Sequence, residues 1–134
     1  MNALYAVDTD VISFQVKVDS RASFYREKMH DNQLLVSFMT IAELDQWVIR
    51  SRWGERLKGH LEEYLSKFTV VHSNRELCLI WAEVTESARV AGFTINAADA
   101  WIAATALAYD IPLITHNSKD YRGVSGLQII SAPV

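Results

Sequence analysis

The chain of 134 residues has the composition of an ordinary globular protein, with 50% of its residues hydrophobic and 22% charged. A chain of this length predicts one domain, spanning residues 1–134. The net charge of −3 excludes an overall basic surface, so any attraction for nucleic acid has to come from a local patch or a bound metal ion.

The single cysteine and the N-terminal sequence indicate a cytoplasmic protein. Cys78 has no second cysteine with which to form an intrachain disulfide, which suggests a reducing compartment. The apolar run at the N-terminus ends at Asp8 and is too short for a signal peptide. No apolar run free of charges approaches the length of a membrane span, so we expect no membrane association.

Short apolar runs alternate with segments of helical periodicity along the whole chain. The runs predict strands at residues 3–7, 34–38, 68–71, 112–115 and 127–130. The periodic segments predict a short helical turn at 11–14 and helices at 20–30, 40–53, 57–65, 75–91 and 97–109. Apolar strands that alternate with helices are typical of a parallel sheet covered on both faces. We therefore predict a three-layer α/β/α sandwich with a central, mainly parallel sheet of four to five strands.

The last predicted helix is apolar on every side and should lie in the core. From Ala97 to Tyr109 only Asp99 and Thr105 are not apolar, and Asn96 suits the N-cap position. A lone buried carboxylate is costly unless it is paired or binds a metal ion. Asp99 taken alone is better explained by capping of the first helical turn, where a carboxylate complements the helix dipole.

Four carboxylates that are far apart in sequence are predicted to meet at one edge of the sheet. In a parallel sheet the carboxyl ends of the strands share one edge, where ligands bind. The acidic residues that follow strands, or open a helix near that edge, are Asp8, Glu43, Asp99 and Asp120. Ordinary structural uses remain open. Thr40 and Glu43 fit a capping box, and Asp8 and Asp120 fit turns.

A cluster of carboxylates predicts a hard divalent cation. Clustered acidic groups repel one another, and Mg²⁺ or Mn²⁺ with oxygen ligands removes that penalty. Zinc is not expected, because the four histidines show no ligand spacing. A cation held by carboxylates suits phosphodiester cleavage by an activated water, with no serine or cysteine nucleophile. We expect Cys78 to be part of the core.

Several of these segments resemble the PIN-domain family and, within it, the VapC-like toxins of bacterial toxin–antitoxin pairs. The similar segments are 7–12 (VDTDVI), 40–44 (TIAEL), 99–107 (DAWIAATAL), 113–121 (LITHNSKDY) and 126–130 (GLQII). The resemblance implies a PIN-like fold and a Mg²⁺-dependent endoribonuclease in which Mn²⁺ can substitute. It also implies an acidic quartet of Asp8, Glu43, Asp99 and Asp120.

The resemblance implies a role for each polar residue of the centre. Asp8 and Asp99 look like the principal metal ligands, and Glu43 and Asp120 would act directly or through water. Thr115 and Asn117 look like polar supports. Asp10 falls where the family more often has Asn or Ser, so it either tunes metal affinity or caps the short helix that follows.

The resemblance also implies partners. It predicts a homodimer or a toxin–antitoxin hetero-oligomer, in which the C-terminal segment of a small antitoxin covers the acidic groove. Phe14, Phe24 and Tyr25 could receive that segment if they were exposed, although we expect them to belong to the core.

The local candidate for RNA binding is the basic segment 50–60. Its arginines, Arg50, Arg52 and Arg56, could contact phosphates, and Trp53 could stack on an unpaired base. The alternative is a solvated helical hairpin with a partly buried Trp53.

Two other functions fit part of the pattern. Asp8 and Asp10 form an Asp-x-Asp motif after the first strand, which suggests a Mg²⁺-dependent phosphohydrolase with Asp8 as nucleophile and Asp10 as general acid. The further lysine and acidic motif of such an enzyme cannot be placed in this chain. A non-catalytic PIN-like binding module is the other alternative.

Overall fold

The computed structural model describes residues 2–133, and residues 1 and 134 of the predicted domain lie outside that range. Its strands are β1 (Leu4–Val7), β2 (Gln33–Ser37), β3 (Thr69–Val71), β4 (Leu113–Ile114) and β5 (Ile129–Ile130). They form one sheet in the order β3-β2-β1-β4-β5, and every neighbouring pair is parallel. The predicted sheet is therefore confirmed, with five strands.

Six α-helices cover the sheet. They are α1 (Thr9–Lys17), α2 (Ala22–Met29), α3 (Phe38–Arg50), α4 (Glu55–Leu65), α5 (Arg75–Val90) and α6 (Ala97–Ala108), and a short 3-10 helix (Ser118–Tyr121) follows β4. Within residues 2–133 none of these helices has the length and apolar character needed to cross a membrane.

Two hydrophobic clusters on opposite faces of the sheet confirm the three-layer arrangement. Successive residues of a strand point to opposite faces. Val7 of β1 and Ile114 of β4 pack with side chains from α1 to α4 in one cluster. Their neighbours, Ala6 and Leu113, pack with side chains from α5 and α6 in the other. The sheet thus has a helical layer on each side.

Helix α6 is the buried helix that its composition predicts. The side chain of Asn96 caps it by accepting a hydrogen bond from the backbone N–H of Asp99 at 2.8 Å. Its central residues are at most 2% exposed: Ala100, Ile102, Ala103, Ala104, Thr105 and Ala106. The small alanines allow the helix to lie close to the sheet, so its first turn is held rigidly beside the ends of the strands.

Helix α3 begins earlier than predicted, and the predicted capping box is wrong. Ser37, the last residue of β2, caps the helix by accepting a hydrogen bond from the backbone N–H of Met39 at 3.0 Å. Thr40 is therefore an interior helical residue and fully buried. Glu43 lies in the second turn, where its carboxylate is not needed to cap the helix.

Two further predictions about burial have different outcomes. Cys78 is exposed, so its assignment to the core is wrong. It follows the buried Leu77 by one position, which turns it about 100° around α5 and away from the sheet. Phe14 and Tyr25 are buried and Phe24 packs against the same cluster, which confirms that these rings belong to the core.

Candidate metal centre

Asp8 lies at the carboxyl end of β1, between the strand and α1, and is 6% exposed. Its Oδ1 accepts a hydrogen bond from the backbone N–H of Thr9 at 2.7 Å. Its Oδ2 accepts two more, from the hydroxyls of Thr115 and Tyr121, each at 2.7 Å. Burial raises the pKa of Asp8 despite these hydrogen bonds, which favour the ionised form. The carboxylate is thus held rigidly in a place where its charge is poorly solvated.

Glu43 reaches the same edge from α3. Its Oε1 accepts a hydrogen bond from the hydroxyl of Thr9 at 2.7 Å, and that hydroxyl also lies 3.0 Å from Oγ1 of Thr40. Burial and, to a smaller extent, the negative charge of Asp8 raise the pKa of Glu43. Thr9 therefore orients Glu43 toward Asp8.

Asp99 projects from the first turn of α6. Its Oδ2 accepts a hydrogen bond from the side-chain amide of Asn96 at 3.0 Å, and its Oδ1 lies 3.5 Å from the hydroxyl of Tyr121. Burial raises the pKa of Asp99 to about 6, with added contributions from the negative charges of Asp8, Asp120 and Glu43. All four predicted carboxylates are therefore close enough to act on one another.

Asp120 is exposed on the 3-10 helix that follows β4, and its charge contributes to the raised pKa of Asp8 and of Asp99. None of the four carboxylates takes part in an ion pair within residues 2–133. The pairs in that range involve other acidic residues: Asp19, Asp31, Glu55 and Glu86. Among the residues that the structure describes, no basic side chain is therefore bonded to the acidic centre.

Asp10 fastens the loop after β4 to the start of α1. Its Oδ1 accepts a hydrogen bond from the backbone N–H of Val11 at 2.7 Å. Its Oδ2 accepts hydrogen bonds from the backbone N–H of His116 at 3.1 Å and from the side-chain amide of Asn117 at 2.9 Å. Burial, followed by the charge of Asp8, raises the pKa of Asp10 to about 7. These contacts anchor the loop after β4 to the first turn of α1, whose N-cap is Asp8.

Thr115 and Asn117 form hydrogen bonds to the acidic side chains. Thr115 is fully buried, and its hydroxyl donates to Asp8 while accepting a hydrogen bond from the backbone N–H of Asn117 at 3.1 Å. Asn117 in turn donates to Asp10. The short segment after β4 therefore connects to both aspartates at the start of α1.

Three residues of this network were missed by the reasoning from sequence. Thr9 and Tyr121 donate hydrogen bonds to predicted carboxylates. His116 lies with its Nδ1 at 2.7 Å from the hydroxyl of Tyr25. Each is adjacent in sequence to a predicted site residue and lies in a segment, 7–12 or 113–121, that resembles the PIN-domain family. Hydroxyl partners 34 and 113 residues apart cannot be recognised without the fold.

The donor set fits a hard cation with few protein ligands. No three His, Cys, Asp or Glu side chains within residues 2–133 are arranged to hold one ion together. Mg²⁺ characteristically binds to one or two carboxylates and keeps several waters or phosphate oxygens as its other ligands. Asp8 and Asp99, which are unpaired and partly desolvated, match that requirement, whereas zinc would need a nitrogen or sulfur ligand.

The basic segment lies at the turn between α3 and α4. Arg50, Arg52 and Arg56 are exposed, whereas Trp53 is half-buried with its ring packed edge-on against Trp47 at 4.5 Å between centroids. Arg50 follows Glu43 by seven residues, or almost two full helical turns. It therefore shares the helical face of Glu43 at a distance of about 10 Å along the axis.

The fold and the site define a parallel α/β protein whose acidic side chains lie at the carboxyl edge of the sheet, where such folds bind ligands. The family model for the PIN domain matches residues 5–127, and the chain belongs to the PIN domain family. This result confirms the resemblance seen in the sequence.

Individual relatives agree with that membership. Ribonuclease VapC1 of Haemophilus influenzae strain R2866 is 29% identical over 129 residues, which cover 93% of this chain and 95% of the relative. The structure of VapBC-1 from nontypeable Haemophilus influenzae has a TM-score of 0.80 at 28% identity and covers 96% of this chain and 97% of its own. A toxin–antitoxin complex from Klebsiella pneumoniae shares the fold, with a TM-score of 0.75 at 21% identity and 97% of each chain covered.

Proposed function

We propose that this chain is a metal-dependent endoribonuclease and the toxin of a type II toxin–antitoxin pair. The observation that carries the proposal is the meeting of Asp8, Glu43, Asp99 and Asp120, none of them bonded to a basic side chain, at the carboxyl edge of the sheet in a PIN domain. Relatives that align over almost the whole chain are named Ribonuclease VapC, which supports RNA as the substrate.

In this proposal Asp8 and Asp99 bind Mg²⁺ or Mn²⁺, and Glu43 and Asp120 act through water, because no three such side chains within residues 2–133 are arranged to hold one ion together. The chemistry that a bound cation supplies is stabilisation of the charge on the scissile phosphate and a lower pKa for the attacking water. Thr9 holds Glu43 in place, and Thr115 holds Asp8. The raised pKa of Glu43 makes its carboxylate a better acceptor for the proton that the attacking water loses.

RNA would reach the acidic centre along α3. Arg50 shares a helical face with Glu43, and the exposed Arg52 and Arg56 follow in the turn and at the start of α4. Because the net charge of the protein is negative, these arginines would supply the local attraction for phosphates. Trp53, already packed on Trp47, would present only part of its ring to a base.

The cognate partner would be an antitoxin in the cytoplasm. Solved relatives include VapBC-1 and a toxin–antitoxin complex, and this chain covers nearly all of each toxin-like chain that it matches. We propose the same kind of hetero-oligomer here, together with a homodimer of the toxin.

The two alternatives have less support from the geometry. For a phosphohydrolase, Asp10 would have to reach the substrate, yet both of its oxygens are engaged by donors of the protein itself, on Val11, His116 and Asn117. The proposed nucleophile, Asp8, is 6% exposed and has donors on both oxygens. A non-catalytic module would not need four convergent carboxylates.

Cleavage of RNA by the purified chain, freed of any antitoxin, tests the proposal. We expect cleavage in Mg²⁺ or Mn²⁺, none after chelation, and none with Asp8→Asn or Asp99→Asn. The matched control is Asp110→Asn, an exposed residue at φ 53°, a conformation that asparagine also adopts. Circular dichroism establishes that the variants fold. Cleavage that survives both substitutions at the centre would contradict the proposal.

A further inference from the structure

The hydroxyl of Tyr121 lies between the two carboxylates to which the proposed function assigns the metal ion. It is 2.7 Å from Oδ2 of Asp8 and 3.5 Å from Oδ1 of Asp99. The ring is 3% exposed and packs in the cluster between the sheet and α5 and α6, so the hydroxyl cannot move far. Tyr121 is therefore a fixed part of the surroundings of both carboxylates.

The direction of each hydrogen bond follows from the number of protons available. A tyrosine hydroxyl has one proton, which goes to the acceptor at 2.7 Å, on Asp8, and not to the one at 3.5 Å. Thr115 also has one hydroxyl proton. Because its oxygen already accepts the backbone N–H of Asn117, that proton goes to Asp8 as well.

The two oxygens of Asp8 are consequently not equivalent. An ionised carboxylate has roughly two acceptor sites on each oxygen. Both sites of Oδ2 are filled, by Thr115 and Tyr121, whereas Oδ1 has a single donor, the backbone N–H of Thr9. The remaining acceptor site of Asp8 is on Oδ1.

We propose that Tyr121 sets the ion selectivity of the centre: together with Thr115 it occupies Oδ2 of Asp8 and restricts this ligand to one-oxygen coordination through Oδ1. The inference rests on the proposed metal-dependent function. Mg²⁺ and Mn²⁺ take near-octahedral sites, to which each carboxylate gives one oxygen. Ca²⁺ accepts six to eight oxygens and readily takes both from one carboxylate. A carboxylate with one blocked oxygen therefore favours the smaller ions.

Removal of the hydroxyl alone tests this assignment. Tyr121→Phe keeps the packed ring and frees one acceptor site on Oδ2, so we expect it to gain affinity for Ca²⁺ relative to Mn²⁺. Isothermal titration with Mn²⁺ and with Ca²⁺ gives the ratio of the two dissociation constants for each protein, with no need for RNA. The hydrogen bond that blocks this acceptor site has a charged acceptor. Because such a bond is strong, we expect the preference for Mn²⁺ to fall by about tenfold when it is removed.

Two further variants keep the test decisive. Tyr109→Phe removes an exposed hydroxyl at the end of α6 and should leave the ratio unchanged. Thr115→Val removes the other donor to Oδ2 and should shift the ratio in the same direction as Tyr121→Phe, which matters if the latter does not fold.

The outcomes separate this inference from the proposed function. A ratio that stays at the wild-type value in folded Tyr121→Phe, with Mn²⁺ still bound, would overturn the selectivity role alone. Equal weakening of both ions would do the same, since it indicates only general support of Asp8. Failure of the wild-type protein to bind either ion would remove the metal centre itself, and the proposed function with it.

Discussion

The metal-free protein should lose stability as the pH rises from 5 to 8. The pKa of Asp10 is about 7 and that of Asp99 about 6, both raised by burial above the ordinary value of 3.8, and the pKa of Asp8 and of Glu43 is raised in the same direction. In this range the folded protein binds more protons than the unfolded chain. The free energy of unfolding therefore falls with increasing pH.

The magnitude can be estimated from Asp10. At about 1.4 kcal/mol per pH unit, the roughly two pH units between pH 5 and the pKa of Asp10 correspond to ~3 kcal/mol of stability lost by pH 8. Asp99 is partly exposed, and solvent screening reduces its share to ~1 kcal/mol. A loss of this order is a large part of the stability of a domain, and we expect the melting temperature to fall by about 10 °C or more.

Thermal unfolding in chelator-treated buffers between pH 5 and pH 8 measures the effect. Asp10→Asn should flatten the dependence, because it removes a buried carboxyl that becomes charged in this pH range. Excess Mn²⁺ should stabilise the wild-type protein at pH 8 more than at pH 5. Asp19, whose pKa is lowered by Arg21, titrates below this range and does not contribute. A melting temperature that stays constant or rises toward pH 8 would refute the reasoning.

Two other predictions concern the RNA surface and the packing of α5. Arg50→Glu together with Arg56→Glu should weaken RNA binding without loss of folding, measured by fluorescence anisotropy at several salt concentrations. The charge-matched control is Arg26→Glu with Lys67→Glu: Lys67 precedes β3 at the opposite edge of the sheet, and Arg26 of α2 lines the same groove as Lys67. Equal weakening in the control, or unchanged binding with a steep salt dependence in the Arg50 and Arg56 variant, would contradict the prediction. Gly123→Ala should destabilise the protein by ~1–3 kcal/mol more than Gly92→Ala in urea unfolding. Both glycines have positive φ, but only at Gly123 would the added Cβ meet neighbours, at 2.9 Å from Phe93 and 3.1 Å from Ala88. Equal destabilisation by the two substitutions would contradict the close packing of Gly123 against α5.

Much of the fold is visible in the sequence because local and tertiary preferences agree. Asn96 caps the helix that it was predicted to begin, and Asn74 caps the helix predicted at 75–91. The apolar composition of α6 and of β1 indicates that both elements are buried. The alternation of strands and helices predicts the parallel sheet. The order of the strands then brings residues 8, 43, 99 and 120 to one edge.

Each wrong or missing prediction has a specific structural cause. Ser37 and Thr40 are both good N-cap residues three positions apart. The pairing of β2 with β3, which aligns Ser37 with Val71, decides that the strand continues up to Ser37 and the helix starts there. Cys78 lies one position from the face of α5 that packs on the sheet. The hydroxyls of Thr9 and Tyr121 form hydrogen bonds between segments that are distant in sequence, and hydrophobic periodicity does not predict such partners.

The most direct test of the account is the position of a Mn²⁺ ion in crystals of this protein, located by its anomalous scattering. We predict one strong peak about 2.1 Å from Oδ1 of Asp8 and from an oxygen of Asp99, with Oδ2 of Asp8 still bonded to Tyr121 and Thr115. A peak at other side chains, or no peak at these carboxylates at saturating Mn²⁺, would contradict the claim that the acidic edge of the sheet is a metal centre.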